Sequence, residues 1–133
     1  MKKISTSRAP RPSGHYSQAI EHQGIVYVSG QLPIRPDGEK VEMATIEEQT
    51  EQVLENLNAI LIDAGSGKDR VLKVTIYISD IEAWGRVNAV YARFFGEHHP
   101  ARSVVPTRRL HYGFKVEIDA IAFIGTDSSK RRG

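Results

Sequence analysis

The stretch Lys115-Val116-Glu117-Ile118-Asp119-Ala120-Ile121-Ala122-Phe123-Ile124 decides the fold. Val116, Ile118, Ala120, Ala122 and Ile124 fall at every second position, the period of a strand with one face against a core. The other face carries Glu117 and Asp119, followed by Ile121 and Phe123. A carboxylate in such a strand either lies on a solvated sheet face or faces a cleft. In a cleft, burial raises its pKa and suits it to proton transfer.

Upstream, Pro100-Ala101-Arg102-Ser103 opens a second strand-like run, Arg102–Thr107. The two runs are expected to lie side by side, which would bring Arg102 to Glu117. A guanidinium grips a small carboxylate through two parallel hydrogen bonds, and a carboxylate nearby can handle a proton or a water. The competing readings for Arg102 are a structural ion pair and an exposed edge-strand charge. Glu117 with Asp119 could suggest a metal pair. His15, His22, His98, His99 and His111 are scattered without ligand spacing, however, and no acidic loop supports a metal.

The rest of the chain supplies layers for this sheet. After a possible short first strand, the Pro/Gly-rich loop 9–14 leads to Ser17–His22 and Ile25–Ser29, a pair of strands joined by a tight turn at Gln23-Gly24. Gln31–Val41 reads as a loop with Pro33, Pro36 and Asp37-Gly38. Thr45–Ala64 is an amphipathic helix: Ile46, Val53, Leu54, Leu57, Ile60, Leu61 and Ala64 recur at helical spacing. Thr45 and Glu48 match a capping box, and Gly65 suits the position after the helix. A polar loop, Ser66–Arg70, precedes the strand Val71–Ile78, which places Leu72, Val74, Ile76 and Ile78 on one face. A second helix runs from Ile81 to Phe95, capped by Ser79 with Glu82. Its inner stripe is Trp84, Val87, Asn88, Tyr91, Phe94 and Phe95.

This order predicts an α+β fold: a mixed, mostly antiparallel sheet with two helices on one face. The opposite face keeps apolar residues without a third layer, and oligomerisation would cover them. One domain over residues 1–124 and a polar tail over 125–133 are expected, with no internal repeat.

Composition bounds the partners. The chain has 133 residues, 40% hydrophobic and 26% charged, with a formal net charge of only +2. Part of the basic excess is the tail Lys130-Arg131-Arg132, so nucleic-acid binding is not expected. The absence of cysteine excludes disulfides, thiolate metal sites and a cysteine nucleophile. No apolar window reaches the length of a membrane span and the N-terminus lacks a signal-peptide pattern, so a cytoplasmic protein is expected.

Smaller polar groups remain. Gly14-His15-Tyr16-Ser17-Gln18 and Ser29-Gly30-Gln31 combine glycines with hydrogen-bonding side chains. They read either as turns or as backbone that a ligand can approach closely. Asn88 is a polar residue in an apolar stripe, either a structural hydrogen-bonder or a cleft contact. His111-Tyr112-Gly113 is a loop that could approach a site. No nucleophile elbow and no phosphate loop is present.

Taken in order, Gly14-His15-Tyr16-Ser17-Gln18-Ala19, Ser29-Gly30-Gln31-Leu32-Pro33, Gln49 with Asn56, Val87-Asn88-Ala89-Val90-Tyr91, Phe94-Phe95, Pro100-Ala101-Arg102-Ser103 and Val116–Ala122 resemble the Rid family of reactive intermediate deaminases, in its RidA-like branch. The resemblance covers roughly residues 8–124. It implies a chorismate-mutase-like fold and a homotrimer with a central barrel and ligand clefts between subunits. It also implies hydrolysis of 2-imino acids, such as 2-iminopropanoate and 2-iminobutanoate, to 2-oxo acids and ammonia, without metal or organic cofactor. By the same resemblance Arg102 binds the substrate carboxylate and Glu117 orients the attacking water. Tyr16, Ser29, Gly30 and Asn88 line the cleft. The chain departs from its relatives at His15, Val104 and Leu110-His111-Tyr112-Gly113, each able to reshape the cleft mouth. A non-catalytic trimer that binds a small carboxylate, or other proteins, is the alternative. A ribonuclease or translation inhibitor ranks below both, because the sequence shows no aromatic-basic stacking surface.

Overall fold

The computed structural model describes residues 1–125. The polar tail expected at 125–133 therefore falls, from residue 126 onward, outside the described residues. Six strands form one sheet: β1 (Lys2–Ile4), β2 (Ala19–His22), β3 (Ile25–Gln31), β4 (Val71–Ile78), β5 (Ala101–Pro106) and β6 (Val116–Phe123). Their spatial order is β1-β2-β3-β6-β4-β5. Every pairing is antiparallel except the parallel edge pair β4 with β5. Two helices, α1 (Ile46–Asp63) and α2 (Trp84–Phe95), cover one face.

The alternation in β6 sets this arrangement. Val116, Ile118, Ala120 and Ala122 are buried, and they share one core with Val53, Leu57 and Ile60 of α1 and with Val87 and Tyr91 of α2. Burial of such side chains, roughly 1.5–3 kcal/mol each, is what holds the helices to the sheet. The expected capping box closes α1: Thr45 Oγ1 accepts the Glu48 N–H at 3.1 Å, and Glu48 Oε1 accepts the Thr45 N–H at 3.2 Å. Gly65, with φ +86°, ends the helix in a left-handed conformation that only glycine adopts freely. The turn at Gln23-Gly24 has φ of 54° and 80°, the primed geometry that matches strand twist.

Three local expectations change. In β4 the ladder slips between Val71 and Lys73, so Val71 enters the core and Leu72 is exposed. Strict alternation had put Leu72 inside; the bulge inserts one residue and inverts the face. The helix expected from Ile81 opens as a short 3₁₀ turn, Ile81–Ala83, capped by Asp80 and not Ser79: the Asp80 carboxylate accepts the Glu82 N–H at 3.0 Å, and α2 itself starts at Trp84 without a side-chain cap. The third change concerns β5 and β6. They are not neighbours, because β4 runs between them.

The face away from the helices has no third layer in the single chain. Tyr27 and Val105 are 48% and 37% exposed there, and Ile25, Ile121 and Phe123 are half-buried.

Candidate active site

Glu117 stands on this bare face, level with Tyr77 of β4. Beside it β3 carries a bulge: the register with β6 shifts by one residue between Val28 and Gln31, over Ser29-Gly30. The bulge turns Ser29 toward the preceding loop, where its Oγ donates to the Ser17 carbonyl at 2.6 Å. Gly30 lies directly against the Glu117 carboxylate, and a Cβ at this position would collide with Oε2. Glycine here lets the carboxylate approach the backbone closely and needs no unusual φ. Glu117 faces a cleft of about 480 Å³ that it shares with Tyr16, Ser29, Gly30, His111 and Tyr112. Burial raises its pKa above the ordinary 4.5; Asp119 adds to the shift, and His111 opposes it. Asp119 itself is engaged: the Tyr77 hydroxyl donates to its Oδ2 at 3.0 Å. Among the described residues no group of three His, Asp or Glu side chains is placed to hold a metal.

The loops around the cleft are fastened by buried amides. Gln18 Nε2 donates to the carbonyls of Thr6 and Pro10 at 3.1 and 2.9 Å, while its Oε1 accepts the Thr6 N–H at 2.8 Å. Asn56 Nδ2 donates to the Ile34 carbonyl at 2.8 Å, and Gln49 Oε1 accepts the Lys115 N–H at 2.9 Å. Each satisfies backbone groups that irregular chain leaves unpaired. Gln18, Gln49 and Asn56 thus shape the cleft without facing it. Sequence reading singled out Gln18 in a turn-like stretch and Gln49 with Asn56 among the family motifs but not as loop fasteners, since a polar residue does not reveal which loop it will hold.

Arg102 occupies a different place. It pairs with Val74, a core-facing residue of β4, so its side chain leaves the sheet on the helix side. Its guanidinium lies 4.8 Å from the ring centroid of Trp84 and 4.9 Å from that of Tyr91. Nη1 donates to Asn88 Oδ1 at 2.9 Å. Two aromatic faces and an amide thereby fix the orientation of an otherwise exposed arginine. It borders a second cleft of about 380 Å³ with Asn88, Tyr91 and His99.

The expected pairing of Arg102 with Glu117 therefore does not occur within one chain. The two residues lie on opposite faces of the sheet, two strands apart (~10 Å across) and three residues out of level (~10 Å along). Sequence spacing suggested two adjacent strands; the parallel insertion of β4 separates them. The six expected site residues fall into two groups: Tyr16, Ser29, Gly30 and Glu117 in one cleft, Asn88 and Arg102 in the other.

The sequence model of the endoribonuclease L-PSP family matches residues 6–124. The chain belongs to this family, known also as the RutC or Rid family. A RutC family protein of Pyrococcus horikoshii is 44% identical over 120 residues, 90% of this chain and 95% of that one. A Rid-family protein of Yersinia pestis, YyfA, superposes with a TM-score of 0.89 at 47% identity, covering 92% of this chain and 98% of its own. TdcF of E. coli, solved with bound serine, gives 0.88 at 38% identity over 94% and 100% of the two chains. The six-stranded Rid architecture with two helices on one face is thus common to this chain and these structures. No helix among the described residues is long and apolar enough to cross a membrane.

Proposed function

We propose that this Rid protein hydrolyses small 2-imino acids to 2-oxo acids and ammonia, at clefts where Glu117 of one copy meets Arg102 of another. The observation that carries this reading is Glu117: a half-buried carboxylate with a raised pKa, held against Gly30 in an open cleft. TdcF with bound serine supports a cleft sized for a small amino or imino carboxylate in this family.

The chemistry follows from the parts. Arg102 takes the substrate carboxylate through a two-pronged grip. A water hydrogen-bonded to Glu117 adds to the imine carbon, its oxygen forming the new C–O bond as the C=N electron pair moves to nitrogen. Glu117 accepts the proton of that water and returns one to nitrogen. In the resulting carbinolamine Glu117 takes the remaining hydroxyl proton and passes it to the amine as the C–N bond breaks, so ammonia leaves and the oxygen becomes the carbonyl of the 2-oxo acid. An imine carbon is already electrophilic, so orientation and proton transfer are sufficient and no covalent nucleophile is needed.

Since Arg102 and Glu117 leave opposite faces of one sheet, the site is complete only when copies assemble. The bare, partly apolar face around Tyr27, Val105 and Ile121 is suited to that contact, and a homotrimer fits the family. Residues 1–124 act as the single unit, in the cytoplasm.

The test generates 2-aminoacrylate with a pyridoxal-phosphate dehydratase and follows pyruvate and ammonia release. Acceleration by the protein, lost in Arg102→Ala, is the expected result. Binding of small carboxylates without acceleration of any imine would support the non-catalytic alternative instead.

A further inference from the structure

The turn His111–Gly113, just before β6, forms one side of the Glu117 cleft. It is held from both ends. The His111 carbonyl accepts the Phe114 N–H at 3.0 Å, and the Leu110 carbonyl accepts the Gly113 N–H at 3.2 Å. Tyr112 and Gly113 take left-handed conformations, with φ of 58° and 74°, and so reverse the chain within the turn. Downstream, the Phe114 side chain is buried, and Gln49 of α1 holds the Lys115 N–H at 2.9 Å. The His111 ring thus borders the cleft from a support continuous with the strand that carries Glu117.

Among the described residues His111 is the one basic side chain lining this cleft. The other groups around Glu117 are engaged or of another kind. The Ser29 hydroxyl of β3 donates to the Ser17 carbonyl. On β4 the Tyr77 hydroxyl donates to Asp119, itself a carboxylate of β6. Tyr16 and Tyr112 are phenols, which release a proton far less readily than an imidazolium. Lys40 sits 4.8 Å over the Tyr112 ring, and Arg109 lies beside Gly113; neither lines the cleft. No hydrogen bond among the described residues engages the His111 ring, in contrast to His98, whose Nε2 lies 2.7 Å from the Val71 carbonyl. The charge of His111 nonetheless reaches Glu117, where it opposes the rise in pKa that burial causes.

Hydrolysis of an imine moves both protons of a water from oxygen to nitrogen, and a lone carboxyl would have to face the two atoms in turn. We propose that His111 is a second catalytic residue of the hydrolysis, the acid that protonates nitrogen while Glu117 takes protons from oxygen. The assignment rests on the imine-hydrolase reading of the Glu117 cleft. In the addition, Glu117 removes one proton from the water as its oxygen bonds to the imine carbon. The His111 imidazolium gives one proton to nitrogen as the C=N electron pair moves there. The Glu117 carboxyl then passes its proton to the neutral imidazole, which restores both groups. The same exchange serves the carbinolamine: Glu117 takes the hydroxyl proton, His111 protonates the amine, and the C–N bond breaks with its electron pair leaving on ammonia.

The experiment follows, across pH, the imine made from alanine by an amino-acid oxidase with catalase present, trapping the residual imine with semicarbazide. His111→Gln keeps a hydrogen-bonding side chain but cannot carry the proton. It should lower kcat by at least about tenfold, with Glu117 left to serve both atoms, and remove one limb of the pH profile. Imidazole added to His111→Ala should restore part of the lost rate. A second readout needs no turnover: by carbon NMR the Glu117 carboxyl should titrate at higher pH in His111→Gln than in wild type, because the opposing charge is gone. An active wild type whose pH profile survives His111→Gln would overturn the assignment and leave the hydrolase reading standing. A lost rate that imidazole does not restore, or an unshifted Glu117 titration, would do the same. If wild type accelerates no imine, the hydrolase reading fails and the assignment with it.

Discussion

Strand β6 has two faces with different tasks. Val116, Ile118, Ala120 and Ala122 are buried under α1 and α2. Glu117, Asp119, Ile121 and Phe123, interleaved with them, are half-buried on a face that no helix covers. The first face is closed by the chain itself. The second carries a carboxylate whose ionisation burial disfavours, together with apolar surface left open. Alternate residues of one strand thus serve the core and, on the proposed reading, the chemistry, and only the second set would need another copy.

The largest expected effects lie in the two clefts. On the proposed reading Arg102→Ala removes a two-pronged, charge-assisted contact with the substrate and should lower kcat/KM about 100-fold or more, since each hydrogen bond to a charged group contributes about 1.5–3 kcal/mol. Glu117→Gln should lower kcat by about 10²–10⁴ through loss of proton transfer. Equal activity in either variant would break the division of tasks between the faces. Gly30→Ala should displace the Glu117 carboxylate and lower the rate while leaving the thermal melt near wild type, because the methyl meets the mobile end of a side chain. Measured rates beside thermal melts would show it.

Next come the two apolar sets. Ile118→Ala should destabilise the fold by about 2–5 kcal/mol in urea, as for other fully buried aliphatics. Ile121→Ala, on the bare face, should instead shift the assembly toward smaller species in sedimentation. If both changes acted alike, the two faces would not differ as described.

A smaller effect concerns pH. The Glu117 carboxyl of the unfolded chain ionises near its ordinary value; in the folded chain it ionises at higher pH. Between the two, the folded protein retains a proton that the unfolded chain has released. Stability attributable to this group therefore falls as pH rises through that window and stays lower above it. Glu117→Gln should flatten this slope and raise Tm at neutral pH, so the group proposed to move the proton is one the fold would be more stable without. The smallest effect is at the exposed pair of Arg86 and Glu47, 2.7 Å apart. Arg86→Ala should leave Tm close to that of the wild type, because solvent screens an exposed pair.

Much of the fold was legible because it follows from periodicity. The stripe of α1, its Thr45 and Glu48 box, the Gln23-Gly24 turn and the alternation of β6 all obey local rules. The bulges do not. Leu72 and Ser29-Gly30 sit where the ladder gains a residue, and nothing in a strand's own pattern marks where its partner will slip. The candidate site residues were singled out by their residue types, but their placement was not legible. Arg102 and Glu117 announced themselves as a guanidinium and a carboxylate in apolar segments, yet their relation depends on strand order. A parallel strand inserted between them is a long-range fact that spacing does not carry. Trp84 and Tyr91 read as core, and they do pack there, but their rings also hold the arginine.

The sharpest test of a cleft shared between copies mixes two inactive proteins. Arg102→Ala and Glu117→Ala chains, unfolded together and refolded at equal amounts, should regain about a quarter of the wild-type rate, since each interface draws its arginine and its glutamate from different copies at random. No recovery, in assemblies shown to contain both chains, would contradict a site divided between neighbouring subunits.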